Sequence, residues 1–241
     1  SDLVVILGIA VLAPYATGWA AEREYRRLLA AYNRGTGMIE LRSYRRGWFT
    51  SHAECAINLR TLFEHYFSVP LEDDVFDRQS LRAVTHSTLY HGPLAMAFAR
   101  EAGVGYQPLL ATMRHDTRVH LPPEWTTSPV AFATYGALRL DGSSRIGIQV
   151  PAYTQMVVGG VVAAVTIPDG ARAQIDSDRA LRRMVVAAGL PRLRSEMGPE
   201  WFLLNGAVFT GSYVRGPAQE WSSTAHTALE CLHVNMPLVV L

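Results

Sequence analysis

The sequence contains no lysine, because each of its 22 basic residues is an arginine. Genomic base composition is the simpler interpretation, and a surface suited to bidentate contacts with carboxylates or phosphates is the alternative. The 21 acidic residues leave a formal net charge of +1, so no global field attracts the chain to nucleic acid. We therefore predict no nucleic-acid partner.

Charge of either sign is scarce. Charged residues make up 18% of the 241 residues, and apolar residues make up 49%. This balance excludes a disordered chain, a coiled coil and a collagen-like chain. A chain of this length forms one large domain or two small ones and buries a substantial core.

The sequence also lacks a phosphate-binding loop, a nucleophile elbow and zinc-ligand spacing. Metal ligands on one face of a strand are two positions apart. His86 and His91 are five apart, as are His115 and His120, so the members of each pair face opposite sides of a regular strand. The acidic run 72–74 has the character of a solvated loop. We therefore predict no catalytic residue, no cofactor and no metal site, and a protein that is not an enzyme.

The run from Leu3 to Ala21 carries no charge. Its 19 residues would span about 28 Å as a helix, close to the thickness of a hydrocarbon core. A cleaved signal peptide and a buried core helix are the alternatives. The bulky Trp19 disfavours the former, and the absence of polar interruptions disfavours the latter. Residues 1–21 are therefore predicted to be a transmembrane anchor, carried by Leu3, Ile6, Ile9, Leu12, Pro14 and Trp19.

Residues 22–35 are predicted to form an amphipathic stalk helix that docks on the body. Tyr25, Leu28, Leu29 and Tyr32 recur at helical spacing. The arginines that follow the span are diluted by glutamates. The positive-inside rule therefore only weakly favours a cytoplasmic side for the body.

Residues 36–241 are predicted to form a single α+β domain built on a large antiparallel sheet with a few covering helices. A hairpin turn is predicted at Asp141 to Ser144. The strands between Val130 and Ile167 are apolar on both faces, so they need a cover: the domain's own helices, a partner protein or lipid. Period-two alternation predicts strands over 39–59, 81–89, 112–121, 130–140, 145–150 and 156–167, and a pair of short strands within 201–214. Helical spacing predicts helices over 59–67, 94–102 and 176–189, the last most strongly.

Two short motifs stand out in the first half of the chain. In the first, Arg46-Gly47-Trp48-Phe49, Gly47 indicates a bulge or a close backbone approach, with Trp48 and Phe49 on opposite faces of a strand and one of the two rings in the core. We interpret this motif as structural, with Arg45 or Arg46 as holders of an anionic lipid head group in the alternative. In the second, His91-Gly92-Pro93-Leu94, Gly92 permits a positive φ, Pro93 begins a helix and His91 ties the turn to backbone. The alternative for His91 is a polarising group at that helix N-terminus.

The uncharged span, the segment Tyr44 to Ser51 and the segment His91 to Leu94 together resemble the YdgA-like family of bacterial envelope proteins, over roughly residues 1–155. The biochemical function of that family is not established. The resemblance implies a single-pass protein of the bacterial inner membrane with a periplasmic body, and it supplies no catalytic residue. In such an oxidising compartment Cys55 and Cys231 could form one disulfide. Nothing brings them together in the sequence, so free thiols are favoured.

The sequence is compatible with three classes of function. The first is a non-enzymatic, membrane-anchored accessory protein, whose partners are membrane lipid and either an integral membrane protein or a second copy of itself. The second is a lipid-handling envelope protein whose curved sheet holds acyl chains. The third is an enzyme, which no motif supports.

Overall fold

A computed structural model of the protein describes residues 2–33, 36–61, 82–105, 107–120, 130–159, 161–197, 200–216 and 221–235. Side chains are described for the same residues except 2–11, 153, 155–163, 197 and 221. Across these residues no helix combines the length and the apolar character that crossing a membrane requires.

Two helices and thirteen strands have both ends within the described residues, and residues 59–61 are also helical. The helices are α1 (Asp2–Asn33) and α2 (Pro93–Ala97). The first seven strands are β1 (Ile39–Arg46), β2 (Thr50–Asn58), β3 (Arg82–His91), β4 (Leu109–His120), β5 (Val130–Arg139), β6 (Ser144–Val150) and β7 (Tyr153–Gly159). The remaining six are β8 (Val161–Ile167), β9 (Ala171–Ser177), β10 (Arg183–Met197), β11 (Glu200–Arg215), β12 (Trp221–Ala228) and β13 (Cys231–Asn235).

All thirteen strands belong to one antiparallel sheet. Its main path runs β1-β2-β3-β4-β5-β6-β9-β10-β11-β12. The long strands β10 and β11 extend beyond this path, where β8 joins β10, β7 joins β8, and β13 joins β11. The predicted class, mostly antiparallel sheet with a few helices, is confirmed.

Helix α1 packs on one face of the sheet, which we call the α1 face. Residues directly opposite each other in antiparallel strands share a face, so Ala53, Ser87 and His115 lie in one row across β2, β3 and β4. Tyr25 and Leu28 of α1 are buried in the same core cluster as Ala53. The predicted apolar stripe of the stalk therefore contacts the sheet, as part of a single continuous helix. The opposite face is covered locally by α2 and the turns that follow it, in a smaller buried cluster.

The predicted helix over 176–189 is wrong. This segment contains the end of β9, a turn and the start of β10. In the turn, Asp178 Oδ1 accepts the Arg182 backbone N–H at 2.8 Å, and Leu181 adopts a φ of 52°. Its apolar residues fit strand alternation as well as helical spacing. The strand form prevails because β10 bonds to β9 on one side and β11 on the other.

Several predicted boundaries also change. The predicted strand 39–59 is the β1–β2 hairpin, the predicted strand 156–167 is the β7–β8 hairpin, and the predicted pair within 201–214 is the single strand β11. Helix α2 begins at Pro93 as predicted but ends at Ala97. Of the predicted helix 59–67, residues 59–61 are helical and the rest lies outside the described residues.

The predicted turn between β5 and β6 is confirmed. Gly142 has a φ of 81°, a conformation that glycine adopts without strain. Asp141 Oδ1 accepts the Ser143 backbone N–H at 2.8 Å. The turn connects two neighbouring strands and so fixes the register of the sheet centre.

Leu138 and Leu140 provide a matched test of the core. Leu138 is fully buried at the end of β5, whereas Leu140 in the following turn is 65% exposed. We expect Leu138→Ala to lower the free energy of unfolding by about 3 kcal/mol, because it removes buried methyl groups and leaves a cavity. Leu140→Ala should change it by less than about 0.5 kcal/mol. Denaturant unfolding measures both values, and equal effects would contradict this description of the core.

Candidate functional site

The two sequence motifs meet at one end of the sheet. The β1–β2 turn holds the Trp48-Phe49 pair, and β3 ends at His91. Because β2 and β3 are antiparallel, with Thr50 opposite Tyr90, these ends are adjacent. The His91 backbone N–H donates to the Phe49 carbonyl at 2.9 Å. Helix α1 lies against this end of the sheet, and both motifs contact it.

His91 connects the sheet to α1. Its side chain is fully buried, with Nδ1 3.2 Å from the Pro14 carbonyl oxygen and Nε2 3.2 Å from Ser51 Oγ. A carbonyl only accepts, so Nδ1 carries the proton and Nε2 accepts from the Ser51 hydroxyl. Burial lowers the pKa of His91, although the bond to Pro14 opposes that shift. The imidazole therefore serves as a neutral bridge. It bonds backbone as the sequence predicts, but the carbonyl is on α1, not in its own turn.

Glycines permit the close approach of helix and sheet. A Cβ atom built on Gly18 would lie 2.6 Å from His91 Cε1, too close for any side chain. Gly92 has a φ of 63°, and a Cβ there would lie 3.5 Å from Pro14 Cα. In the sequence, Gly18 is simply a glycine within an uncharged helical run. This pattern alone does not identify its contact with His91.

Arg46 contacts α1 from the exposed side. Its Nη2 donates to the Tyr15 hydroxyl at 3.0 Å, and its Nη1 lies 3.3 Å from Glu22 Oε2. The guanidinium also stacks over the Tyr15 ring, 4.8 Å from the ring centroid. We call Arg46, Ser51, His91 and Gly92 the α1 clamp. Each belongs to one of the two motif segments and faces residues 14–22 of the helix.

Gly47, Trp48 and Phe49 form the turn of the β1–β2 hairpin. The Gly47 N–H donates to the Thr50 carbonyl at 2.8 Å, and a Cβ on Gly47 would lie 2.6 Å from that oxygen. The predicted close backbone approach is therefore confirmed. The predicted burial of one aromatic ring is wrong, because Trp48 is 46% and Phe49 39% exposed. They occupy a turn, where strand alternation does not apply.

A second group of polar residues lies beneath α1. The Tyr25 hydroxyl is 3.4 Å from Cys55 Sγ and 3.3 Å from Ser87 Oγ. Ser87 Oγ is also 2.6 Å from His115 Nδ1, and the Tyr25 ring stacks on the His115 ring. Burial raises the pKa values of Tyr25 and Cys55 and lowers that of His115 to about 4. All three groups are thus held neutral, which favours a structural role over nucleophilic chemistry.

Other candidate groups lie apart. Cys55 and Cys231 are both free, as favoured from the sequence, and Cys231 Sγ lies 3.0 Å from His233 Nε2. Asp116 is exposed beside Arg114, on the face opposite His115. No three metal-ligating side chains cluster among the described residues. The acidic run 72–74 lies outside them.

Beyond α1, the α1 face continues as an apolar surface. The row of Ala53, Ser87 and His115 extends through β5 to Ile148, Ala173, Ala188 and Phe209 on β6, β9, β10 and β11. Val150 pairs with Ala171, and Leu190 pairs with Ala207, to form the next row. A groove of about 370 Å³ lies over these rows. We call it the apolar groove, lined on the α1 face by Ile148, Val150, Ala171, Ala173, Ala188, Leu190, Ala207 and Phe209.

The two faces of these strands differ in character. On the opposite face lie Arg145, Gln149, Arg172, Gln174 and Asp176. The groove residues are half-buried, whereas Ala53, Leu89 and Met113 beneath α1 are at most 5% exposed. No described helix covers the groove, since α1 packs against β1, β3 and β4. The sequence predicts strands apolar on both faces between Val130 and Ile167, whereas Arg145 and Gln149 make one face of β6 polar.

We expect Gly18→Ala to loosen α1 from the clamp, because the added methyl group would displace His91 from Pro14 and Ser51. The melting temperature should fall, and trypsin should cleave faster at Arg23 and Arg26. Gly105→Ala is the matched control, because a Cβ at Gly105 meets nothing within 4 Å. Equal cleavage rates in the two variants would show that the contact does not hold the helix.

Stability should depend on pH through His115. The pKa of this residue is about 6.5 when unfolded and about 4 when folded. Its contribution is therefore fully present above pH 6.5 and is lost as the pH falls toward 4, up to about 3 kcal/mol. His115→Gln should reduce that loss. Denaturant unfolding of both proteins across this range tests the assignment, which an unchanged pH dependence in the variant would exclude.

Comparison with known proteins gives one match. The model of a family described as bacterial protein of unknown function, DUF945, matches residues 2–235. No curated protein and no solved structure matches the chain. The finer resemblance to YdgA-like proteins stays a prediction. Since the match covers nearly the whole chain, with both motifs and α1, this protein belongs to the bacterial DUF945 family.

Proposed function

We propose that this protein is a membrane-associated lipid-binding protein that holds an acyl chain against the apolar groove. The observation that carries the proposal is the continuity of the α1 face. The side chains of the sheet are buried where α1 packs on this face. Beyond α1, the side chains on the same face are apolar and half-exposed. Exposed apolar surface of this kind is uncommon in a monomer unless it binds something.

The chemistry of the groove favours a hydrocarbon ligand. The strands that form it, β6, β9, β10 and β11, each bond to a neighbour on both sides, so their backbone groups are paired. A peptide could not add to them as a further strand. Small side chains such as Ala173 and Ala188 make the surface smooth, and each methylene buried there contributes about 0.8 kcal/mol.

The location completes the proposal. The uncharged run Leu3 to Ala21 favours attachment to the bacterial inner membrane, and the family resemblance favours a periplasmic body. Contacts from Pro14 to Glu22 tie that run to the sheet. Since α1 and the groove share one face, the groove would keep a fixed orientation relative to the bilayer. Lipid binding of this kind needs no catalytic residue.

An accessory role in a larger membrane complex is the second candidate. The observation in its favour is the outer end of the sheet. There, Leu229, Leu232 and Val234, in β13 and the turn before it, are 45–52% exposed. An exposed apolar edge strand is a template for pairing with another chain. An integral membrane protein or a second copy of this chain could cover it.

Ala187 and Ala188 allow a matched test, because they are neighbours in β10 on opposite faces. Ala188→Glu places a carboxylate in the groove, and Ala187→Glu places one on the polar face. We expect wild type and Ala187→Glu to co-purify with acyl lipid after gentle solubilisation, and Ala188→Glu to lose most of it. Burial of a charge against a hydrocarbon chain is the cause. Lipid extraction with mass spectrometry measures this.

The same preparation separates the two candidates. A stoichiometric protein partner without acyl lipid would favour the accessory role and overturn the lipid proposal. Equal lipid content in both glutamate variants would also overturn it. Thermal unfolding confirms that each variant is folded.

A further inference from the structure

Four exposed aromatic rings gather where the α1 clamp holds the helix. Tyr15 and Trp19 belong to α1 and are 46% and 55% exposed, and Trp48 and Phe49 belong to the β1–β2 turn. The Tyr15 and Trp48 rings are 6.0 Å apart. Two segments distant in sequence thus form one surface, which we call the aromatic patch. None of these rings is needed to fill the core.

A positively charged cleft adjoins the aromatic patch. Its volume is about 480 Å³, and its lining consists of Trp19, Glu22, Arg23, Arg26 and Arg46. Glu22 lies between two of the arginines, 2.9 Å from Arg26 and 3.3 Å from Arg46. Arg23 stacks over the Trp19 ring, 5.8 Å from the ring centroid. Three guanidinium groups and one carboxylate leave the cleft with an excess positive charge.

We propose that the aromatic patch docks onto an anionic phospholipid surface and that the cleft takes a lipid phosphate. Indole and phenol rings favour the boundary between head groups and hydrocarbon, because they combine an apolar body with a polar group. Guanidinium groups bind phosphate in a bidentate manner and attract an anionic leaflet. The inference rests on the membrane location proposed above and is independent of the groove ligand.

The position of the patch supports a bilayer over other anionic partners. The patch adjoins the uncharged run that begins at Leu3. Along the chain, apolar residues are followed by aromatic rings and then by arginines, which is the order expected from the hydrocarbon core of a bilayer to its head groups. Leu12, three positions before Tyr15 on the same helix, is 65% exposed. With a net charge of +1, no global field attracts the chain to nucleic acid. The clamp also joins the patch to the sheet, so docking would orient the whole body.

Tryptophan quenching by brominated lipids tests docking in the full chain. The protein is reconstituted into phosphatidylcholine vesicles with and without phosphatidylglycerol. The contribution of Trp48 is the difference in quenching between wild type and Trp48→Phe, and Trp201→Phe serves as the control in β11. We expect a clear Trp48 contribution that increases with phosphatidylglycerol. Equal quenching in wild type and Trp48→Phe would overturn the proposal.

The cleft is tested in the same vesicles. Arg23→Gln with Arg26→Gln should reduce the Trp48 contribution at least about twofold, because each arginine near an anionic surface favours docking. The matched control is the double variant Arg118→Gln with Arg192→Gln, which removes the same charge at two exposed positions. It should leave the Trp48 contribution to quenching unchanged. Equal loss in both double variants would indicate non-specific charge and overturn the cleft assignment.

Inorganic phosphate distinguishes a lipid head group from a free anion. Phosphate binding to the protein in detergent, without any Trp48 quenching in vesicles, would identify an anion site and overturn docking. The groove variant Ala188→Glu should retain full Trp48 quenching. Failure of the groove proposal and failure of this one therefore give different results.

Discussion

The hydrogen bonds of His91 determine how helix and sheet are joined. One imidazole links the Pro14 carbonyl to the Ser51 hydroxyl, donating from Nδ1 to the carbonyl and accepting at Nε2 from the hydroxyl. Gly18 allows the ring to reach the helix, and burial keeps it unprotonated. Because this contact fixes α1 over the first strands of the sheet, it also determines which part of the α1 face is covered. The groove, the aromatic patch and the proposed orientation all depend on that placement.

The polar residues beneath α1 complement this junction. Tyr25, Cys55, Ser87 and His115 share hydrogen bonds in a core that otherwise consists of aliphatic residues. Burying any of these polar groups without a hydrogen-bond partner would be unfavourable. Because their hydrogen bonds form at one position of α1 on the sheet, they favour that position. Their pKa values are shifted chiefly because the groups are buried.

The sequence predicts local features well and long-range contacts poorly. The turn at Asp141 to Ser144, the start of α2 at Pro93 and the apolar stripe of Tyr25 and Leu28 depend on neighbours in the chain. The contact between Pro14 and His91 joins residues 77 positions apart, and no local pattern encodes it.

The incorrect prediction of a helix over 176–189 has a related cause. Spacing that suits a helix also suits β10, and the two flanking strands decide between them. Likewise, both Trp48 and Phe49 are exposed because a turn interrupts the alternation. Each error occurs where tertiary pairing overrides a periodic signal.

The width of the sheet explains why a surface remains to be covered. Ten strands on the main path, at about 4.8 Å apart, extend over about 43 Å. A helix with its side chains is about 10 Å across, and α1 packs mainly on β1, β3 and β4, with bonds from Arg27 to the turns at Gly142 and Arg179. One helix therefore cannot bury an apolar face of this size. Leaving it in water would cost about 25 cal/mol for each Å² of apolar surface. A sheet whose apolar face extends so far beyond the large helix of the described residues would be stabilised by something that covers the remainder. In the proposed function, a hydrocarbon chain satisfies that requirement without any further polar contact.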